Sequence, residues 1–327
     1  MNQIAIIGAG QLGSRHLQGL ARLRLPCTVH VVDPSPKSLD VARQRFAETP
    51  PSPHVGELVS HTSPDTLPEA LDYVIVATSA DVRLAVLQSL LARHRVRHLL
   101  LEKVLFQRLG EYDTAARLIA QHGVRTWVNC PRRAFDIYAE VKTFLAGGGP
   151  LRHFDVTGGD WGLGCNSVHF IDLLAMMTGQ PPEGVSTAGL DAALMPSKRA
   201  GFMEFTGRLQ GRSGDATFEL ATTAGSAMRL LLTFRAETRS VVIDEAAGRA
   251  FFLDTTVAGP AGWQLREFRA PFMSELGTAI ATDLLTRGDC VLTPFDESVR
   301  CHLPLVTALA AHAARAQGTP ADFCPVT

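Results

Sequence analysis

Ile4-Ala5-Ile6-Ile7-Gly8-Ala9-Gly10-Gln11-Leu12-Gly13 stands near the start of the chain. The four apolar residues read as a buried strand, and the next six fit the pattern G-x-G-x-x-G. Alone that pattern is weak. Directly after a strand and opening a helix, it points to a loop that cradles a dinucleotide. Gly8 then permits a tight turn, Gly10 lets a pyrophosphate approach the backbone, and Gly13 lets helix and strand pack closely. The helix N-terminus offers free N–H groups and a positive dipole end to the phosphates. Asp33 closes the next apolar run. An acid there accepts hydrogen bonds from both adenosine ribose hydroxyls and repels a 2′-phosphate. NAD is therefore favoured over NADP, a preference that Lys37 and Arg43 nearby would soften. The plainer reading, a glycine turn and a solvated aspartate, fits the strand–loop–helix context less well.

Outward from this loop, apolar runs at residues 4–7, 29–32, 73–77, 98–101 and 126–128 alternate with helical spacing at 14–23, 38–46, 82–92 and 109–122. That rhythm implies a parallel sheet with helices on both faces. The proline-rich stretch 49–53 reads as a surface loop before a poorly marked third strand. After Pro131 the pattern changes. A helix is expected over 133–145, a strand over 152–157, a glycine-rich loop, and a helix near 167–177. Strands follow at 202–209, 216–222, 228–235, 240–244 and 250–253, then helices at 272–286 and 297–317. The fold expected is an α/β N-terminal Rossmann domain, residues 1–130, plus an α+β C-terminal domain, residues 131–327, with a large, mostly antiparallel open sheet. The last helix is a candidate to pack back on the first domain.

The bulk numbers agree. The chain has 327 residues, 46% hydrophobic and 19% charged, with a net charge of -1. That is comfortable for two globular domains. The charge balance supports neither nucleic acid nor a membrane surface as partner. The six cysteines are scattered without a C-x-x-C pair and read as reduced thiols. No basic leader precedes the first strand, and no apolar run approaches the ~20 residues of a membrane helix. A soluble, cytoplasmic protein is expected.

Three further clusters carry chemistry. Glu102-Lys103 ends the run at 98–101, where an open parallel sheet presents its ligands. A lysine there polarises a carbonyl or shares a proton with a hydroxyl; the alternative is an exposed ion pair at a strand end. Cys165, Asn166, His169 and Asp172 share one broad helical face. His169 is a natural general acid–base group, unless it is simply buried and bonded to Asp172. A zinc site through Cys165, His169 and Asp172 lacks a fourth ligand, so no metal is expected. The glycines before this helix, Gly158, Gly159, Gly162 and Gly164, would let the chain pass close to a ligand. Arg132 and Arg133 follow the sixth strand and suit capture of an anionic substrate, or else form a hinge surface.

Together these pieces resemble the Gfo/Idh/MocA oxidoreductase family. The matching segments are GAGQLGSRH at 8–16, VIVATS at 74–79, Glu102-Lys103 where the family has Glu-Lys-Pro, and NSVHFIDLLAMMTG at 166–179. The resemblance implies hydride transfer on a sugar or cyclitol, with Lys103 and His169 as the proton-handling pair. It implies cofactor contacts from Gly8, Gly10, Gln11, Leu12, Gly13, Asp33, Thr78, Ser79 and Glu102. Substrate contacts are expected from Arg132, Arg133, Trp161, Asn166 and Asp172. The stretch Trp161-Gly162-Leu163-Gly164-Cys165-Asn166 also looks like members linked to surface-glycan sugars, which suggests a sugar acid or nucleotide-sugar. Three departures mark a divergent member. Val104 replaces the proline of a peptide that is typically cis in the family, so a differently aimed lysine is expected. Cys165 stands where many members have an aspartate, and Arg83 where a histidine is common.

The competing functions are a cyclic-imine reductase and a non-catalytic dinucleotide-binding regulator of a partner. A methyltransferase fits the Glu-Lys and His-x-x-Asp segments badly. The C-terminal sheet has few helices to cover it, so a homodimer or homotetramer built on that sheet is expected.

Overall fold

The computed structural model describes residues 1–50 and 52–327, so Pro51 of the proline-rich loop lies outside the described residues. Two compact units result. The first comprises Met1–Phe106, Gly110–Pro131 and Pro271–Asp296; the second comprises Gln107–Leu109, Arg132–Ala270 and Glu297–Thr327.

In the first unit the chain runs β1 (Asn2–Ile7), α1 (Gln11–Leu20), β2 (Cys27–Val32), α2 (Pro36–Ala47), β3 (Val55–His61), β4 (Ala70–Val76), α3 (Ala80–Arg93), β5 (Arg95–Leu101), α4 (Leu109–His122) and β6 (Arg125–Val128). The strands pair in parallel in the order β3-β2-β1-β4-β5-β6, the doubly wound arrangement with its switch point at β1/β4. Continuous apolar runs make this possible. Ile4, Ile6, Val74, Ile75, Leu99 and Leu100 are at most 1% exposed, because helices cover both sheet faces. The weakly marked third strand, β3, lies at the sheet edge, where only Val55 is buried.

The second unit begins with a 3-10 turn at Pro131–Ala134, then α5 (Asp136–Ala146), β7 (His153–Gly159), α6 (Leu163–Thr178), β8 (Gly184–Leu190), β9 (Met195–Pro196), β10 (Met203–Glu204), β11 (Gly207–Ser213), β12 (Ala216–Thr223), β13 (Leu231–Arg235), β14 (Arg239–Asp244), β15 (Arg249–Asp254) and β16 (Trp263–Glu267). Its large sheet has eight strands in the order β16-β15-β14-β13-β7-β12-β11-β8. All pairs are antiparallel except β7 with β12. The inner face, with Phe154, Val156, Phe218, Leu220, Phe234 and Phe252, is buried against α5 and α6. Burial of such side chains contributes roughly 1.5–3 kcal/mol each. The outer face alternates polar residues with Leu231, Phe251, Trp263 and Leu265, which are 39%, 39%, 52% and 47% exposed.

Several boundaries differ from the sequence reading. The helix expected from 133 starts at Asp136, because Phe135 is extended after the 3-10 turn. The helix expected near 167 starts at Leu163, so Gly164, read as loop, belongs to its first turn, while Gly158 and Gly159 end β7. The strand expected over 202–209 divides into β10 and β11 at Gly207, whose φ of 94° favours glycine. The strand expected from 228 begins at Leu231, and β8 and β16 lie beyond the strands read from sequence.

The chain then returns to the first unit with α7 (Met273–Arg287) and β17 (Thr293–Pro294), which joins the parallel sheet antiparallel to β6. Most of α8 (Phe295–Gln317) belongs to the second unit. Within the first unit, the penultimate helix, α7, packs on α1. Its contact is set by size. A Cβ on Gly19 of α1 would stand 3.2 Å from the Gly277 Cα of α7, and Thr278 Oγ1 donates to the Gly19 carbonyl at 2.7 Å.

Candidate functional site

The glycine loop has the local geometry read for Gly8 and Gly13. Gly8 has φ 100°, the left-handed side of the map where a side chain is strained. A Cβ on Gly13 would stand 1.8 Å from the Gly8 carbonyl oxygen, so only glycine lets α1 close on β1. Gly10 is the opposite case: a Cβ there would meet nothing within 4 Å. The space above Gly10 is open, and Gly10 caps α1 without a side-chain hydrogen bond. Gln11 is exposed beside it and Leu12 half-buried. Asp33, at the end of β2, reaches back to the loop. Its Oδ2 accepts from the Ala9 N–H at 2.8 Å and its Oδ1 from the Ser35 N–H at 2.9 Å. Arg43 is turned to Asp40.

The end of β4 supplies the facing wall. Thr78 Oγ1 is buried without a hydrogen-bond partner among the described residues. Buried hydroxyls are ordinarily partnered, so an orphan beside an open glycine cradle fits a bound polar group. Ser79 caps α3 without a side-chain bond. These features fit an adenine dinucleotide.

At the end of β5, Glu102 is 3% exposed. Its Oε1 lies 2.7 Å from His16 Nε2 and accepts from Asn129 Nδ2 at 2.7 Å. The carboxylate expected to touch the cofactor is thus engaged inside the protein, where it fixes the strand end that carries half-buried Lys103. The Lys103–Val104 peptide is cis, so replacing the proline leaves the cis bond in place. Arg83, 1% exposed, organises the following segment. It donates to the carbonyls of Thr78, Val104 and Leu105, the last at 2.7 Å. The sequence marked Arg83 only as a departure; its role in tying two strand ends together depends on contacts that sequence does not display.

In the second unit, α6 presents Cys165, Asn166 and His169 half-buried on one face, while Asp172 is fully buried. Asp172 belongs to an ion-pair group: Arg133 Nε donates to its Oδ2 at 2.8 Å, and Arg133 Nη2 donates to Glu297 Oε1 at 2.6 Å. The two carboxylates outweigh burial and hold the Arg133 guanidinium above its usual range. Arg132 grips Glu245 with two bonds, at 2.8 and 2.7 Å, and lies 4.3 Å over the Phe170 ring. The anion-binding role read for Arg132 and Arg133, and a substrate role for Asp172, give way to internal pairing. The glycines before α6 also serve the chain itself. Cβ atoms on Gly158 and Gly159 would stand 2.9 Å from Leu230 Cα and 1.9 Å from the Ser226 carbonyl oxygen.

A pocket of about 430 Å³ opens at the first turn of α6. Trp161 and Asn166 line it, together with Asp160, Lys198 and Glu204, the last three of which no spacing or motif had marked. Trp161 Nε1 donates to the Ala221 carbonyl at 2.7 Å and Asn166 Nδ2 to the Trp161 carbonyl at 2.7 Å, so both side chains are held in place. Among the described residues, no group of three or more His, Cys, Asp or Glu side chains could hold a metal ion. The six cysteines are free thiols, and no described helix is long and apolar enough to cross a membrane.

Residues 2–130 match the family model GFO_IDH_MocA, described as an oxidoreductase family with an NAD-binding Rossmann fold. No curated protein matches the chain. Among solved structures, a UDP-N-acetylglucosamine 3-dehydrogenase from Acidithiobacillus ferrooxidans is 15% identical with TM-score 0.73, over 97% of this chain and 99% of that one. An oxidoreductase from Agrobacterium radiobacter, in complex with NAD+, L-tartaric acid and magnesium, is 15% identical with TM-score 0.71, over 97% of each chain. A super-repressor mutant of Gal80p from Saccharomyces cerevisiae is 11% identical with TM-score 0.71, over 95% of each chain. At these identities the likeness establishes the fold.

Proposed function

We propose that this chain, which belongs through its N-terminal Rossmann domain to the Gfo/Idh/MocA oxidoreductase family, is an NAD(H)-dependent enzyme that moves a hydride to or from a sugar-like substrate. One observation carries the reading. The open glycine cradle has Asp33 anchored beside it by the Ala9 N–H at 2.8 Å, with a carboxylate where an adenosine ribose would meet it. NAD is preferred to NADP because that carboxylate repels a 2′-phosphate; Lys37 is exposed and Arg43 is paired with Asp40.

When bound, the nicotinamide takes or supplies the hydride. The protein's own part is the proton. In oxidation, Lys103 or His169 accepts the proton of the reacting hydroxyl as the C–H bond gives up its hydride; in reduction the same group returns a proton to the carbonyl oxygen. Arg83 and the Glu102–His16–Asn129 group hold the segment that carries Lys103. Trp161 and Asn166 contact the sugar-like substrate in the pocket of the second unit. The outer face of the large sheet, with Phe251, Trp263 and Leu265 exposed, joins copies of the chain into a dimer or tetramer.

A second reading, a dinucleotide-binding regulator without turnover, draws support from the likeness to a Gal80p repressor. One experiment separates the two. NADH oxidation is followed across a panel of keto-sugars and cyclic imines, with NADH binding measured in parallel. Turnover of a keto-sugar supports the enzyme. NADH binding with no hydride transfer to any compound favours the regulator.

A further inference from the structure

We propose that the pocket at the first turn of α6 selects its ligand by charge, with Glu204 as the specificity-determining residue: it admits neutral or amino-bearing polyhydroxylated molecules and excludes those bearing a carboxylate. This rests on the sugar-like reading above and narrows it.

The N-terminus of a helix is a favourable place for an anion. Here α6 begins at Leu163 after a left-handed Gly162 and has no capping side chain of its own. Glu204 fills that place. Its Oε2 accepts from the Gly164 N–H at 2.7 Å and its Oε1 lies 3.3 Å from the Cys165 N–H. The helix end that would attract a ligand's carboxylate already holds one from the protein.

Glu204 is set firmly. It lies on β10, opposite Met195 of β9, and its neighbours are tied down: Met203 N–H donates to the Pro325 carbonyl at 2.8 Å, and Phe205 is 2% exposed. Asp160 adds a second carboxylate to the pocket, fixed by the Gly225 N–H at 3.1 and 3.0 Å. Lys198, the one cationic side chain in the lining among the described residues, is exposed. Asp160 and Lys198 are both exposed, which leaves half-buried Glu204 as the charge set deepest in the lining.

The rest of the lining suits hydroxyls. A carboxylate has about four acceptor sites, so Glu204 retains capacity beyond its two backbone donors. Thr222 also lines the pocket; it is 4% exposed, and its Oγ1 is buried without a partner among the described residues. Buried hydroxyls are ordinarily partnered, so this one fits a polar group bound in the pocket. Trp161 supplies an aromatic surface and Asn166 an amide.

The test uses the full chain saturated with NADH and three probes of similar size: glucose, glucosamine with its amine protonated, and glucuronate. Binding is read by ligand-observed NMR. We expect glucose and glucosamine to bind, and glucuronate to bind at least about tenfold more weakly, as like charges in one site repel. Glu204→Gln should narrow the difference, and Glu204→Asp should keep it. Circular dichroism of both variants establishes that they fold, and Asp160→Asn provides a second removal of charge if Glu204→Gln does not. Glucuronate binding as tightly as glucose, or no binding by any probe, overturns the proposal. NADH oxidation with the keto forms of the neutral sugars is read separately. Its absence alongside the expected order of binding would count against hydride transfer and leave charge selection standing.

Discussion

Arg83 of α3 donates to the Leu105 carbonyl at 2.7 Å, and the same guanidinium binds the carbonyls of Val104 and Thr78. One buried cation thereby fixes the segment after Lys103 against the end of β4. Removing it leaves three carbonyls without their donor. We predict that Arg83→Ala costs on the order of 3–5 kcal/mol of stability. At a temperature where the variant is folded, kcat should fall more than KM rises, with partial recovery in Arg83→Lys. Unchanged melting and unchanged turnover would show that Arg83 positions nothing.

The proton-handling assignment has its own signature. Lys103→Ala and His169→Ala should each lower turnover by about 10²–10⁴-fold while leaving NADH binding nearly intact. Steady-state kinetics with a parallel NADH titration measures both. If both variants keep near-native turnover, the proton travels by another route.

Acid should loosen the first unit before it affects much else. His30 Nδ1 and His61 Nε2 are 3.0 Å apart, and His30 Nε2 is 2.9 Å from Gln3 Oε1. Burial, and then the facing His61, push His30 from its ordinary 6.5 down to about 4; burial lowers His61 as well. A histidine kept neutral by the fold contributes stability that is fully present above about pH 6.5 and lost as pH falls through 4. The size is up to about 3 kcal/mol for His30. Thermal melts from pH 7 to pH 4 should show this decline, and His30→Gln should flatten it. Parallel curves for the two proteins would place the acid sensitivity elsewhere.

The sheet face gives an assembly prediction. Phe251 pairs with Val242 on one side and Leu265 on the other, a continuous apolar row on the outer surface. Wild-type protein should scatter light as a dimer or tetramer at micromolar concentration, and Phe251→Glu should shift it toward monomer. A monomeric wild type contradicts the proposed assembly.

The parts of this molecule that were legible in the sequence are those with a local cause. Buried parallel strands need unbroken apolar runs, so β1, β2, β4, β5 and β6 stand out; an edge strand such as β3 does not. Gly8 and Gly13 are required by their own loop, so the local pattern displays them. The need for Gly158 and Gly159 is not displayed in this way, because their close neighbours, Leu230 and Ser226, are distant in sequence. The same holds for charge. Arg132 and Arg133 look like anion ligands until Glu245, Asp172 and Glu297 are seen to meet them. Glu204 carries no motif, and only the fold brings it to the start of α6.

The central claim is that the Asp33-bearing glycine cradle binds NAD in preference to NADP, and calorimetric titration of NADH and NADPH into wild type and Asp33→Ala tests it most directly. The account predicts that NADH binds wild type more tightly than NADPH. It also predicts that Asp33→Ala weakens NADH and narrows the difference, because the ribose loses its acceptor and the 2′-phosphate loses a repelling charge. An unchanged preference in the variant would remove Asp33 from the ribose, and no binding of either dinucleotide at millimolar concentration would contradict the account.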